Sequence, residues 1–178
     1  MTKAAQNETF HRLTIAAMTG SLENLDRILV KAETHARASK IEPQVLLAAR
    51  LYPDMFSLIQ QLQYALYLPM DFARHFTDEP APHVGYEEAT FEDVHVSLKT
   101  AIAYLKAIPA SRLVERAQRV VPIFFDGTKG MPADDYAATV EMPDFYFHLS
   151  IAYAILRHNG VPLSKDDFIG PYKSTPIE

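Results

Sequence analysis

Asp144 and His148 stand four residues apart in MPDFYFHLSIAYAILRHNG, the stretch from Met142 to Gly160. On a helix that spacing puts both side chains on one face. A carboxylate there can orient the imidazole as a general base, or the two can form two legs of a metal site. Asp54 or His75 would then be the conjectural third ligand. A structural reading fits the same residues. An Asp in the first turn of a helix complements its dipole, and a mid-helix histidine among Phe, Tyr, Leu and Ile is a core group that needs a hydrogen-bond partner on a neighbouring helix.

Gln61, Tyr64 and Tyr67 form a second set, polar or amphipathic groups on an otherwise apolar segment. Such groups can contact a small ligand held between helices, or they can bond to His148 and tie two helices together. Arg50 and Asp54 bracket Pro53 and either line a pocket mouth or form an ion pair that fixes a kink. Arg157, His158 and Asn159 read as helix-stop chemistry. The sequence contains no Gly-x-Ser-x-Gly elbow, P-loop or dinucleotide fingerprint, and no motif implies a cofactor.

The elements that must position these residues are helical. Met18, Leu22, Leu25, Leu29, Ala32 and Ala36 recur at alternating spacings of four and three, which predicts a first helix over residues 8–39, bent or closely packed at Gly20. Pro43 can open a short helix. A second long helix is expected over 53–76, started at Pro53 and kinked at Pro69 with Leu68 extended. Residues 76–89 read as a loop. Thr90 is the expected N-cap of a third helix, with Glu92 and Asp93 in its first turn and Val94, Leu98, Ala101, Ile102 and Leu105 on its apolar face. The β-branched and aromatic run QRVVPIFFDGTKG predicts a short hairpin or irregular excursion. The last helix should start near Pro143 and stop at Gly160. The sum is an all-α four-helix bundle, read as one domain over 1–178 with 170–178 a frayed tail.

Bulk properties narrow the function classes. With 178 residues, 48% hydrophobic and 22% charged, the chain is of ordinary globular composition and long enough to bury a core. Its formal charge of -5 disfavours nucleic acid as a partner. The absence of cysteine removes disulfides, thiolate metal sites and a thiol nucleophile, and fits a cytoplasmic protein. No membrane span and no secretory signal are expected.

At ARLYPDMF, QLQYA and MPDFYFHLSIAYAILRHNGVPLSKDDFIG the chain resembles an uncharacterised bacterial and fungal family within the DinB/YfiT-like helical-bundle superfamily. The resemblance covers nearly the whole chain and implies a DinB-like bundle; it implies no activity. The superfamily often holds a divalent metal with three histidines, one on the second helix and two at i and i+4 on the last. This chain departs from that set: position 144 is Asp and 152 is Ala around His148, and the second helix offers only His75, near its end. Metal is therefore not expected at a superfamily-type site. The family also has Asn where Asp144 stands and Gly-Lys where this chain has Ser164–Lys165.

The leading expectation is a small-molecule-binding protein or cofactor-independent enzyme working by proton transfer (isomerisation, cyclisation or hydrolysis). His148 would be the acid/base, Asp144 its partner, and Gln61, Tyr64, Tyr67, Asp54 and Arg50 the ligand contacts. The alternatives are a non-catalytic homodimeric interaction protein and a divalent-metal enzyme with a degenerate ligand set.

Overall fold

The computed structural model describes residues 2–76, 80–117, 119–123, 126–172 and 174–177. Residues 77–79 of the expected loop, 118, 124 and 125 of the expected excursion, and 173 and 178 of the tail lie outside the described residues.

The first helical stretch is two helices, α1 (Lys3–Leu13) and α2 (Ile15–Ser39). The break falls at Thr14, whose φ of -119° and ψ of -87° leave the helical region, and whose hydroxyl donates to the Phe10 carbonyl. Gly20, expected to bend the helix or allow close packing, lies inside continuous helix with open space where a Cβ would stand. The six-residue stripe from Met18 to Ala36 is buried throughout. Helix α3 (Pro43–Ala48) opens at its proline as expected.

The second long helix, α4, spans Leu58–Arg74 and does not start at Pro53. Its start is set by Ser57, whose N–H donates to the Gln60 side chain at 2.9 Å in an S-x-x-Q capping arrangement. Residues 49–57 form a tight loop, closed by the Leu58 N–H bonding to the Ala49 carbonyl at 2.8 Å. Leu68 is helical and 2% exposed, not extended. The helix runs through Pro69 because burial on both sides of it outweighs one lost backbone donor: Ala65, Leu66, Phe72 and Ala73 are all fully buried.

Thr90 caps α5 (Phe91–Lys106) reciprocally with Asp93, and Val94, Leu98, Ala101 and Leu105 are fully buried, with Ile102 partly so. A short helix not foreseen in the sequence, α6 (Ala110–Ala117), follows Pro109 and packs on α1. Strands β1 (Val120–Ile123) and β2 (Asp126–Pro132) pair antiparallel in a two-stranded sheet, where Pro122 is tolerated because it has only one neighbour strand.

The last helix differs most from expectation. Helical backbone begins at α7 (Ala133–Tyr136), continues through a π turn at Ala137–Glu141 and passes without a break into α8 (Met142–His158). A wide turn is useful just before Pro143, which lacks an N–H and crowds the preceding turn. Asp144 is therefore about three turns inside a helix, and the first-turn dipole explanation of it fails. The exit is as expected: Asn159 caps, Gly160 has φ of +89°, and the Val161 N–H returns to the Leu156 carbonyl. Helix α9 (Lys165–Ile169) lies against α2, held by Asn24 donating to the Phe168 and Ile169 carbonyls at 3.0 and 2.8 Å.

Helices α2, α4, α5 and α8 form a four-helix bundle, with α4 packed against the other three. Among the described residues no helix is long and apolar enough to cross a membrane.

Candidate functional site

The seam between α4 and α8 carries a polar layer in an otherwise apolar core. His148 is 6% exposed, and its Nδ1 lies 2.6 Å from Gln61 Oε1. An amide oxygen only accepts, so Nδ1 carries the ring hydrogen and Nε2 keeps its lone pair. Asp144 Oδ1 is 3.5 Å from that Nε2. Burial lowers the His148 pKa, and the Asp144 charge opposes this only in part. The neutral ring is thus the resting form, a proton acceptor at Nε2 beside a carboxylate.

Access to this ring is limited by aromatic neighbours. Tyr64 stacks on it with centroids 4.6 Å apart and planes 18° from parallel. Phe147 lies edge-on at 5.3 Å and Phe56, from the 49–57 loop, at 6.3 Å. Phe56 also stacks on Tyr64 at 5.2 Å.

Beyond Tyr64 a cleft of about 310 Å³ opens, lined by Tyr64, Tyr67, Leu68, Gly85 and Tyr86. One wall is α4. The other is the loop after it, which comes very close: a Cβ on Gly85 would meet the Gln63 carbonyl at 2.5 Å and the Tyr67 nitrogen at 2.7 Å. Gln63 donates to the Glu88 carbonyl at 2.9 Å, and Glu88 accepts from the Gly85 N–H and the Ser97 hydroxyl, so the loop is fastened to α4 and α5. A second cleft of about 260 Å³ shares Tyr67 and Tyr86 and reaches Asp71, Arg74 and His83.

Asp71 belongs to a second polar layer, deeper along the seam. It is 4% exposed and takes the Tyr67 hydroxyl at 3.2 Å and the Arg74 guanidinium at 2.5 Å, with His75 Nε2 at 3.8 Å. Burial pushes its pKa up, but the His75 hydrogen bond, the Arg74 and His75 charges and the Tyr67 hydroxyl together hold it below the usual value. Burial and the Asp71 charge push the Tyr67 phenol up to about 12. On the facing helix Glu141, at the end of the π turn, is fully buried. Neither its carboxyl oxygens nor the Tyr136 hydroxyl makes a hydrogen bond of good geometry among the described residues, yet Tyr136 and Glu141 are close enough to act on each other's titration. Burial, then the charges of Asp71 and Asp144, push the Glu141 pKa up to about 9. Asp71 is ionised and Glu141 protonated at neutral pH, two carboxyl groups set apart by their surroundings. Burial likewise raises the Tyr136 pKa.

Comparison with known proteins agrees with this bundle. The model of a family described as a domain of unknown function, DUF1993, matches residues 10–169. The chain belongs to that family. The crystal structure of a DinB family member protein from Shewanella denitrificans is similar to it over 98% of this chain and 100% of that one, at 30% identity and a TM-score of 0.89. No curated protein matches the chain. As a DUF1993 member with this neighbour it has the DinB-like fold, and no activity comes with the family.

Of the residues singled out in the sequence, the fold brings together Asp144, His148, Gln61, Tyr64 and Tyr67. Arg50 and Asp54 line neither cleft. Arg50 does not fix a kink by pairing with Asp54; it donates to the Pro53 and Met55 carbonyls at 3.3 and 3.1 Å, holding the loop that presents Phe56. Asp54 is exposed in that loop. His75 stands 14 residues along α4 from Gln61, about 21 Å at 1.5 Å per residue, too far to share an ion with His148. Among the described residues no three His, Asp or Glu side chains converge as metal ligands. Asp71, Glu141, Tyr136 and Tyr86 were not foreseen as a site. One signal was available: Glu141 stands seven residues before His148, on the same helical row.

Proposed function

We propose that this protein binds a small molecule in the cleft walled by Tyr64, Tyr67 and Tyr86. The supporting observation is the way each wall is held from behind. Tyr64 rests on His148, itself fixed by Gln61; Tyr67 is tethered to Asp71; Tyr86 lies parallel to His83 at 4.3 Å. A volume of about 310 Å³ with mostly apolar lining and a few fixed polar groups is the usual character of a ligand site. In this reading His148 positions Tyr64. For His148 to act as a proton acceptor with Asp144 as its partner, Tyr64 must swing off the imidazole.

The test is a screen of small molecules by thermal shift, followed by the variants Tyr67→Ala and His148→Ala. A compound that stabilises the wild type but neither folded variant supports the site. Compounds that stabilise all three equally would remove it. Turnover lost in a folded His148→Ala variant would add the acid/base role.

A second reading, a homodimer, is favoured by one exposed aromatic shoulder. Phe147 (52% exposed) stands on α8 beside His148, and Phe56 (40%) and Tyr52 (66%) stand on the 49–57 loop, which meets α8 through Phe56 at 6.3 Å from His148. Sedimentation velocity decides it: a dimer dispersed by Phe147→Asp supports this face as the contact, and a monomer at high concentration ends the reading.

A further inference from the structure

We propose that the tyrosine-walled cleft is a cage for a compact organic cation, such as a quaternary ammonium group on a small molecule. This rests on the cleft being a ligand site and adds the class of ligand.

The first argument is the disposition of the rings. Tyr64 and Tyr67 are 6.4 Å apart with planes at 80°, and Tyr67 and Tyr86 are 5.5 Å apart at 75°. Successive walls therefore meet at near right angles, so each ring that lines the cleft joins the next across a corner and not as a parallel pair. A flat aromatic ligand stacks best between parallel faces. A rounded cation gains from several ring faces turned towards one point, because each face carries the negative end of the ring quadrupole.

The second argument is the chemistry of the lining. Leu68 and Gly85 complete it, and no charged side chain is part of it. Beyond the phenol hydroxyls, the lining side chains offer a strongly hydrated ion such as Na⁺ no oxygen to replace its water. A methylated ammonium is weakly hydrated, and it keeps its charge while filling an apolar cage. Tyr67 strengthens the attraction, since a phenol donating its proton to the Asp71 carboxylate has a more electron-rich ring. Arg74, the guanidinium lining the adjoining cleft, is paired with Asp71 at 2.5 Å.

The third argument is rigidity. Tyr64 is backed by neutral His148, Tyr86 lies within 3° of parallel to His83, and Gly85 is pressed on the α4 backbone. Walls already fixed lose little entropy when a ligand enters.

The experiment compares choline with 3,3-dimethylbutan-1-ol, its neutral isostere. Binding is followed by ligand-observed NMR and by tyrosine emission, which is unobscured because the chain has no tryptophan. Choline should bind roughly tenfold more tightly than the alcohol. Tyr86→Phe should keep that preference. Tyr86→Leu, a change at a half-exposed loop position that leaves the core intact, should lose most of it. Equal binding of alcohol and choline overturns the cation class and leaves the ligand site standing. Binding of planar neutral aromatics with no choline response does the same. No response from any probe at the three tyrosines overturns both. Choline binding unchanged in Tyr86→Leu and Tyr67→Leu places the cation elsewhere and refutes the cage.

Discussion

His148 Nδ1 donates its hydrogen to Gln61 Oε1 across 2.6 Å, joining α8 to α4 at the level of Tyr64. The bond decides the tautomer, and the tautomer decides what the ring can do. Replacing Gln61 by Leu leaves a buried N–H with no acceptor and should cost about 1–3 kcal/mol. Adding His148→Leu should restore part of that, since both polar partners are then gone. Urea denaturation of the four proteins in the cycle measures it. Additive losses would mean the two side chains are not coupled.

Much of the fold can be read from the sequence. The Met18–Ala36 stripe is a regular period on one helix, and Thr90 with Asp93 and Gly160 are signals satisfied within a few residues of themselves. The errors arose at prolines, where a neighbouring cap, a π turn or core packing overruled the rule for the single residue. Pro53 resembles a helix start, but Ser57 with Gln60 and the Ala49–Leu58 bond place the start later. Pro69 resembles a break, but core packing carries α4 through it. Pro143 resembles an N-terminus, but a π turn lets helix continue into it. That last error hid the nature of Asp144, because a residue assigned to a helix end has its charge explained too soon, and it left Glu141 ahead of the expected helix. The Gln61–His148–Tyr64 grouping was legible as an odd set of polar groups on apolar helices. The wall from Gly85 and Tyr86 was not, because loop residues have no periodicity to place them.

Glu141 should make stability fall as pH rises. Its pKa is near 4.5 when exposed and about 9 in the folded protein. Between these values the unfolded chain releases a proton that the folded one keeps, so the unfolded state gains. The slope from this group is up to about 1.4 kcal/mol per pH unit within that window, and it vanishes above pH 9. In Glu141→Gln the slope should flatten. Equal pH profiles for wild type and variant, by chemical denaturation from pH 5 to 9, would show that Glu141 is ionised in the fold. An infrared band of a protonated carboxyl at pH 7, lost in the variant, gives a second check.

His95 makes stability fall with rising pH as well, from a higher starting pH. On α5 it bridges two carboxylates of α2, with Nδ1 at 2.6 Å from Asp26 and Nε2 at 3.1 Å from Glu33. Burial pulls its pKa down, but the hydrogen bonds to Asp26 and Glu33 and then their charges outweigh it and raise it. A raised histidine pKa gives stability that is complete below the unfolded value near 6.5 and is lost as pH climbs through the folded value. His95→Gln should therefore destabilise at pH 6 and do so less at pH 9. A difference between the two proteins that does not change with pH would mean the folded ring keeps the pKa it has in the unfolded chain. The Asp26→Asn variant should halve the effect rather than abolish it, since Glu33 remains.

Gly85 links the loop to the cleft most directly. Its φ of +87° is strained for any other residue, and an added methyl would lie 2.5 Å from the Gln63 carbonyl. The obstacle is helix backbone and cannot turn aside as a side chain could, so the loop must lift. Gly85→Ala should cost about 1–3 kcal/mol from backbone strain. Its larger effect should be local. The Gln63–Glu88 bond lengthens, Tyr86 moves away from Tyr67, and the enclosed volume becomes open groove. Hydrogen exchange should then quicken at Gly85-adjacent amides and Glu88 while the α2 core amides keep their protection. If exchange instead quickens throughout α4 and α5, the loop is part of the global folding unit and cannot open by itself.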